Sequence, residues 1–169
     1  GSLRPDWPVG TVVAPEDFFA PAVNPSFFGD DRGHSVPGFD QRFRADVVTT
    51  WNRIAAHPLA GGGTYAQTTG PRFETPAEVR FLATVADVVG MTVAAECILA
   101  KEAGLAYAAI CVIDNLANGL APSGEPLTVD EFNAGKEATR AETGATLTAV
   151  VASLTPTDTS RPAEGDPRP

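Results

Sequence analysis

Basic residues and the usual metal-binding residue types are scarce in this sequence. Its 169 residues include 12 Lys and Arg against 21 Asp and Glu, which gives a formal charge of −9 at pH 7. A chain of that charge has no broad positive face for phosphate backbones, so general binding to nucleic acid is not expected. It has only two His and two Cys, and the cysteines have no partners at metal-ligand spacing, so no metal is expected.

Long apolar runs and export signals are also lacking. No run is long enough to span a bilayer, and the first residues do not resemble a signal peptide. Cys97 and Cys111 lie inside apolar stretches, which indicates buried thiols in a reducing compartment, with one disulfide as the alternative. We therefore expect a soluble, cytoplasmic domain with no membrane partner.

The regular elements alternate between strands and helices. Strands are predicted over residues 11–13, 64–67 and 88–89, and over 105–113 as an apolar strand covered on both faces. One helical pattern ends before Pro58, and another runs from Thr92 to Lys101 and stops before Gly104. Two more helices are predicted to begin at capping boxes, which pair Thr75 with Glu78 and Thr128 with Glu131. This alternation predicts the α/β class.

Two segments lack such a pattern. Residues 15–40 read as a long loop rich in Pro, Gly, Asp and Phe, and its aromatic side chains need burial or an interface. Residues 155–169 contain Pro, Thr, Asp and Arg without apolar periodicity, so they are expected to be a disordered tail.

Unusual residues follow three of the predicted strands, where α/β proteins bind their ligands. They are residues 69–74, residues 90–92 and residues 114–119. The middle segment also opens a helix, and a helix amino terminus offers free N–H groups to an anion.

Together these segments resemble the trimeric purine nucleoside phosphorylases, including the branch that acts on methylthioadenosine and methylthioinosine. The resemblance rests on Gly63-Thr64-Tyr65, on Gly70 to Glu78 (GPRFETPAE), on Gly90-Met91-Thr92 followed by Glu96, and on Ala100 to Leu105. It covers most of residues 1–154, with an unrelated α/β fold and chance matches as the alternative. It implies a three-layer α/β sandwich around a mixed central sheet, with residues 1–154 as the base- and ribose-binding part.

The beginning of the chain also matters for this resemblance. In the family a segment like Gly1-Ser2-Leu3-Arg4 lies in the middle of the chain, after the phosphate loop, the Arg and His phosphate contacts and the first strands. The resemblance therefore implies that the amino-terminal strands are absent from this chain. We expect them to be supplied by a separate chain, or to have been lost.

The resemblance assigns roles to residues at the first two strand ends. Phe73 would stack on the purine, Glu74 would accept from purine N1–H, Met91 would lie under the ribose and Thr92 would contact phosphate, while Glu96 would be structural. Each has a plainer alternative. Phe73 and Met91 are also typical of cores, Glu74 suits a helix start, and Thr92 suits a cap.

Asn115 and Asp114 carry the expected catalytic roles at the third strand end. The resemblance implies that Asn115 binds the base at N7 and O6, which with Glu74 forms a pattern for 6-oxopurines. Asp114 departs from the family, which usually has Thr there. Its carboxyl group is a candidate general acid for the leaving purine, and it can also accept from an amino group, so base preference stays open.

Two further residues bear on the sugar and on the assembly. In the family, enzymes for ordinary ribonucleosides have a His at the position of Val129, and that His binds the 5′-hydroxyl. A Val cannot hydrogen-bond a hydroxyl, so the resemblance favours a 5′-methylthio group. The alternative is that Val129 is simply the first apolar residue of its helix. His34 lies in the region that reaches a neighbouring subunit's active site in the family trimer, and the alternative is an exposed His without a role.

The predicted function is phosphorolysis of purine nucleosides or 5′-methylthio-purine nucleosides to free purine and a ribose 1-phosphate. Inorganic phosphate would be the co-substrate, no organic cofactor is implied, and a homotrimer is expected. The alternative is a non-catalytic nucleoside-binding or assembly remnant without a phosphate site. The preference for 6-oxo or 6-amino purines, the preferred 5′ group and the activity of this chain alone stay open.

Overall fold

The computed structural model describes residues 1–154, which contain five short strands, four α-helices and a single 3-10 turn at Asp31–Gly33. The strands are β1 (Val12–Val13), β2 (Asp17–Phe19), β3 (Thr64–Gln67), β4 (Val88–Gly90) and β5 (Cys111–Val112). The helices are α1 (Gln41–Ile54), α2 (Pro76–Leu82), α3 (Val93–Glu102) and α4 (Val129–Ser153). The predicted disordered tail, residues 155–169, lies outside the described part.

The sheets contain both parallel and antiparallel pairs. Strands β2, β3 and β4 are parallel, in that order, with Tyr65 opposite Val88. Ser2 extends this sheet, because it bridges antiparallel to Val88 and parallel to Leu116. Strands β1 and β5 form a separate antiparallel pair, with Val12 opposite Val112. The α/β class and the mixed pairing are confirmed.

Two strand predictions were wrong in extent. Asp17–Phe19, inside the predicted loop, is strand β2, because it pairs with β3 across a long sequence separation. The predicted strand over 105–113 shortens to β5, which is half-buried and not covered on both faces. Leu105 is 62% exposed, and within this run only Ala109 and Ile113 are buried, so most of the apolar run keeps some contact with solvent.

The helix boundaries follow local capping, as predicted. Thr75 accepts from the Glu78 N–H and Glu78 accepts from the Thr75 N–H, and α2 has Pro76 at its first position. The same reciprocal pair, Thr128 with Glu131, opens α4. None of the helices in residues 1–154 is both long enough and apolar enough to cross a membrane.

The aromatic side chains of residues 15–40 divide between the core and the surface. Phe39 is buried, meets Phe18 edge to face at 6.0 Å and stacks on Tyr107 at 6.1 Å, measured between ring centroids. Phe28 lies under the Arg32 guanidinium, and Phe27 is 64% exposed. Phe39 is therefore buried within the chain itself, which is one of the two outcomes expected for the aromatic side chains of this segment.

Candidate active site

The three predicted strand ends meet in space. Gly70, in the turn after β3, packs against Met91 after β4, so closely that a Cβ on residue 70 would lie 2.5 Å from the Met91 sulfur. Asn118, in the segment after β5, donates from Nδ2 to the main-chain oxygen of Glu74 at 2.8 Å. Residues from all three segments therefore border one region at the carboxyl ends of β3, β4 and β5.

Glu74 is the one charged side chain that is buried among residues 1–154. It is 8% exposed, and its Oε1 accepts a hydrogen bond from the Thr68 hydroxyl at 2.6 Å. A buried carboxylate is stable only with hydrogen-bond partners, and Thr68 supplies one from the end of β3. Glu74 immediately precedes the N-cap Thr75, so the start of α2 fixes its main chain.

Phe73 forms one wall of this region together with α4. Its ring is half-buried, and its centroid lies 6.0 Å from that of Phe132 with the planes tilted by 58°. Phe132 is in the first turn of α4, so the capping box at Thr128 determines where it stands. One face of an aromatic pair of this kind suits a planar apolar ring.

Asn115 is also buried, at 8% exposure, three residues after the end of β5. Its main-chain oxygen accepts from the Ser2 N–H at 2.8 Å, and its Nδ2 donates to the Leu116 oxygen at 2.7 Å. An amide nitrogen carries two hydrogens, so one remains for a ligand, and the amide oxygen can accept at the same time. The side chain can therefore offer a donor and an acceptor together.

Asp114 lies beside Asn115 and is half-buried. Burial raises the pKa of the Asp114 carboxyl above its ordinary value, while the positive charges of the chain's amino group and of Lys136 oppose that rise. A raised pKa increases the protonated fraction at a given pH, which a general acid requires.

The amino terminus of α3 does not offer all the free N–H groups that were expected of it. The N–H groups of Ala94 and Ala95 donate to Oε1 of Gln67 at 2.6 and 3.0 Å, and the Thr92 N–H donates to the Tyr65 hydroxyl at 3.3 Å. A buried amide side chain thus occupies the place in which an anion was expected. This part of the prediction was wrong.

Thr92 itself stands at the N-cap position of α3 but forms no side-chain capping bond there. The residue is exposed, and a hydroxyl so placed can contact a ligand. Met91 is half-buried against Gly70, and its main-chain oxygen accepts from Gln67 Nε2 at 3.1 Å. Glu96 is exposed and accepts from the Tyr107 hydroxyl.

Val129 and His34 are both exposed at the surface. Val129 is the first residue of α4 and is 62% exposed. His34 is exposed, with its Nδ1 3.8 Å from Asp31. Its loop is tied to the carboxyl end of α3, because Glu102 accepts from the Ser26 hydroxyl and the Phe27 N–H, both at 2.7 Å. Since α3 has ten residues, about 15 Å separates that end from Thr92.

Four residues that border this region were given no role from the sequence, although Asn118 lies within the predicted segment 114–119: Gln67, Thr68, Asn118 and Phe132. Gln67 is buried in β3, and a buried Gln within an apolar strand pattern was the one available signal. A separate cleft of about 570 Å³ lies between α1 and α4, lined among others by Trp51, Leu59 and Glu142. None of the predicted site residues lines it.

The chain belongs to the phosphorylase superfamily, whose family model matches residues 1–152. Among curated relatives it is 37% identical over 120 residues to a "probable 6-oxopurine nucleoside phosphorylase" of Archaeoglobus fulgidus, which covers 71% of this chain and 49% of the relative. It is 38% identical over 139 residues to a "probable S-methyl-5′-thioinosine phosphorylase" of Methanothermobacter thermautotrophicus, covering 78% of this chain and 46% of the relative.

Solved structures share the fold. A schistosome purine nucleoside phosphorylase in complex with hypoxanthine matches with a TM-score of 0.78 at 21% identity, over 92% of this chain and 60% of that one. A methylthioadenosine phosphorylase of Schistosoma mansoni in complex with adenine matches with a TM-score of 0.74 at 23% identity, over 90% of this chain and 62% of that one. The resemblance to purine nucleoside phosphorylases is confirmed. The chain spans about half the length of the curated relatives it matches.

Proposed function

We propose that this chain is the base- and ribose-binding part of a cytoplasmic, homotrimeric enzyme that cleaves purine nucleosides, or their 5′-methylthio forms, with phosphate. The observation that carries the proposal is the pair of buried polar side chains, Glu74 in the segment after β3 and Asn115 in the segment after β5. Buried polar groups need partners, and a 6-oxopurine offers N1–H to a carboxylate and O6 and N7 to an amide.

The chemistry follows from that placement. Phosphate attacks C1′ of the sugar, the C1′–N9 bond breaks, and its electron pair leaves with the purine. N7 of the departing base takes a proton, for which Asp114 is the candidate donor, and Asn115 stabilises the charge that develops on the ring. Phe73 and Met91 hold base and ribose in line, and Thr92 contributes one phosphate contact. Phosphate is a co-substrate, and no cofactor takes part.

Two exposed parts of the chain bear on the 5′ group of the substrate and on the contact between subunits. Val129 cannot hydrogen-bond a 5′-hydroxyl, which favours a 5′-methylthio group. His34 and the exposed Phe27 belong to the loop that would meet a neighbouring subunit. A trimer mass by light scattering supports this assembly, and a monodisperse monomer with full activity opposes it.

Calorimetric titration of the chain with hypoxanthine and with adenine tests the proposed base site. We expect hypoxanthine to bind more tightly, and Phe73→Ala to weaken its binding about tenfold or more, because the stacking surface is lost. Phe81→Ala is the matched control, since it removes a 60% exposed aromatic from α2. Absence of purine binding by the wild-type chain contradicts the proposal.

A second candidate is a nucleoside-binding or assembly protein without catalysis. It is favoured by the occupied amino terminus of α3, where the side chains of Gln67 and Tyr65 accept from three main-chain N–H groups that could otherwise bind an anion. Purine binding without phosphorolysis under any condition, including addition of the segment that the longer relatives carry, would support this candidate over the first.

A further inference from the structure

Glu74 reaches the site on a long side chain, so its direction must be determined by its neighbours. Three torsions separate its carboxylate from the main chain, and fixing such a side chain has an entropic cost. Its main chain is held, because Asn118 donates from Nδ2 to the Glu74 oxygen at 2.8 Å. The same Asn118 accepts from the Leu127 N–H at 3.1 Å, just before α4. The main chain of Glu74 is thus joined to the start of the helix that carries Phe132.

The Thr68 hydroxyl is what orients the carboxylate itself. It lies 2.6 Å from Glu74 Oε1, while its other acceptor, the Gly90 oxygen, is 3.5 Å away. A hydroxyl has one hydrogen, and the shorter contact with a carboxylate is the stronger bond. Thr68 is itself fixed, because its N–H donates to the Gly90 oxygen at 2.9 Å at the end of the sheet.

The two carboxylate oxygens of Glu74 differ in their hydrogen bonds. Oε1 is engaged by Thr68, and no donor within residues 1–154 contacts Oε2. Oε2 is therefore the oxygen that can accept from a ligand. A 6-oxopurine carries a hydrogen on N1, whereas N1 of a 6-aminopurine is itself an acceptor and would face the carboxylate without a hydrogen between them.

We propose that Thr68 is a positioning residue for purine selectivity: its hydroxyl holds Oε1 of Glu74 and so leaves Oε2 for the N1–H of a 6-oxopurine. The inference rests on the proposed function and adds to it the residue that sets the direction of Glu74. A carboxylate released from Thr68 rotates, and it then rejects a 6-aminopurine less strictly.

The test compares hypoxanthine and adenine affinities of the full 169-residue chain with Thr68→Val, Thr68→Ser and Thr84→Val variants. Val keeps the shape and removes the hydroxyl, whereas Ser keeps the hydroxyl. We expect Thr68→Val to reduce the ratio of hypoxanthine to adenine affinity about tenfold, and Thr68→Ser to stay within about threefold of wild type. Thr84→Val removes an exposed hydroxyl that donates to the Phe81 oxygen, and it should leave the ratio unchanged.

Thermal denaturation of each variant accompanies the titrations. If Thr68 had only a structural role, its loss would lower stability and would weaken hypoxanthine and adenine binding equally, so the ratio of the two affinities would not change. Loss of selectivity in Thr68→Val, with recovery in Thr68→Ser, supports the inference. A wild-type ratio in Thr68→Val overturns it and leaves the proposed function standing. Absence of purine binding by the wild-type chain overturns both.

Discussion

Gly135, in the second turn of α4, packs directly against the main-chain carbonyl group of Asp114. A Cβ on residue 135 would overlap the carbonyl oxygen and lie 2.8 Å from the carbonyl carbon. The absence of a side chain there lets the helix approach the segment that carries Asp114 and Asn115. The same helix carries Phe132 against Phe73, so this contact sets the distance between the two sides of the site.

Gly135→Ala should therefore destabilise the chain by about 1–3 kcal/mol, because the helix or the segment must move. The displacement should also weaken hypoxanthine binding. Gly144→Ala is the control on the same helix, where a Cβ meets nothing within 4 Å. That variant should gain about 0.5–1 kcal/mol from lower chain entropy. Urea denaturation measures the change in unfolding free energy for each variant, and equal changes in the two variants would refute the role given to Gly135.

Asn115→Asp should change base selectivity. The substitution replaces a donor facing O6 by a carboxylate, so hypoxanthine binding should weaken by about 1–3 kcal/mol while adenine, with its amino group, gains relative affinity. Titration with both bases measures the ratio. Asn133→Asp, at an exposed position of α4, adds the same charge as a control. If Asn115→Asp keeps the wild-type ratio, the role assigned to Asn115 is wrong.

The local elements of the fold were predictable from the sequence, whereas the contacts between distant segments were not. The capping boxes at Thr75 and Thr128 involve residues three apart, so their pattern is visible in the chain itself. Strand β2 has three residues, and its partner β3 lies more than forty residues away. No local pattern reveals such pairing, and a predicted loop was the result.

The candidate site divides in the same way. Phe73, Glu74, Met91 and Asn115 were predicted as site residues from motif resemblance; the structure brings their segments together, and their roles stay predictions. Thr68 and Gln67 were missed because their roles depend on tertiary contacts. Gln67 caps helix α3, which begins more than twenty residues later in the chain. Its side-chain oxygen accepts from two of the N–H groups that were expected to be free for an anion. Its position in a strand gave no indication of that partner.

Glu78 should make stability depend on pH in the acid range. The Arg72 guanidinium, bonded to both carboxylate oxygens at 2.8 Å, and then the Thr75 N–H lower the pKa of Glu78 to about 2. A lowered folded-state pKa means that the stabilisation is complete above the ordinary value of 4.5 and is lost as pH falls toward about 2. Glu78→Gln should therefore lower Tm near pH 7 and lose that difference near pH 2. A difference in Tm independent of pH would contradict this.

The two cysteines should be unreactive in the folded chain. Both are free thiols, Cys97 fully buried and Cys111 half-buried. Burial raises the pKa of each to about 11, so about 0.1% is thiolate at pH 8. A thiol reagent such as Ellman's should detect almost none in the native chain and two after denaturation. Rapid reaction of a native thiol would contradict the burial, and none after denaturation would indicate a disulfide.

Phosphate-dependent release of purine is the decisive measurement for the proposed phosphorolysis. Within residues 1–154 the Thr92 hydroxyl is the proposed phosphate contact, while Gln67 and Tyr65 occupy three N–H groups at the start of α3. We expect little or no release from inosine or methylthioinosine by the chain alone at saturating phosphate. We expect clear release when the segment carried by the longer relatives is added. Full activity of the chain alone would contradict the proposed phosphate site, and no release in either case would contradict phosphorolysis itself.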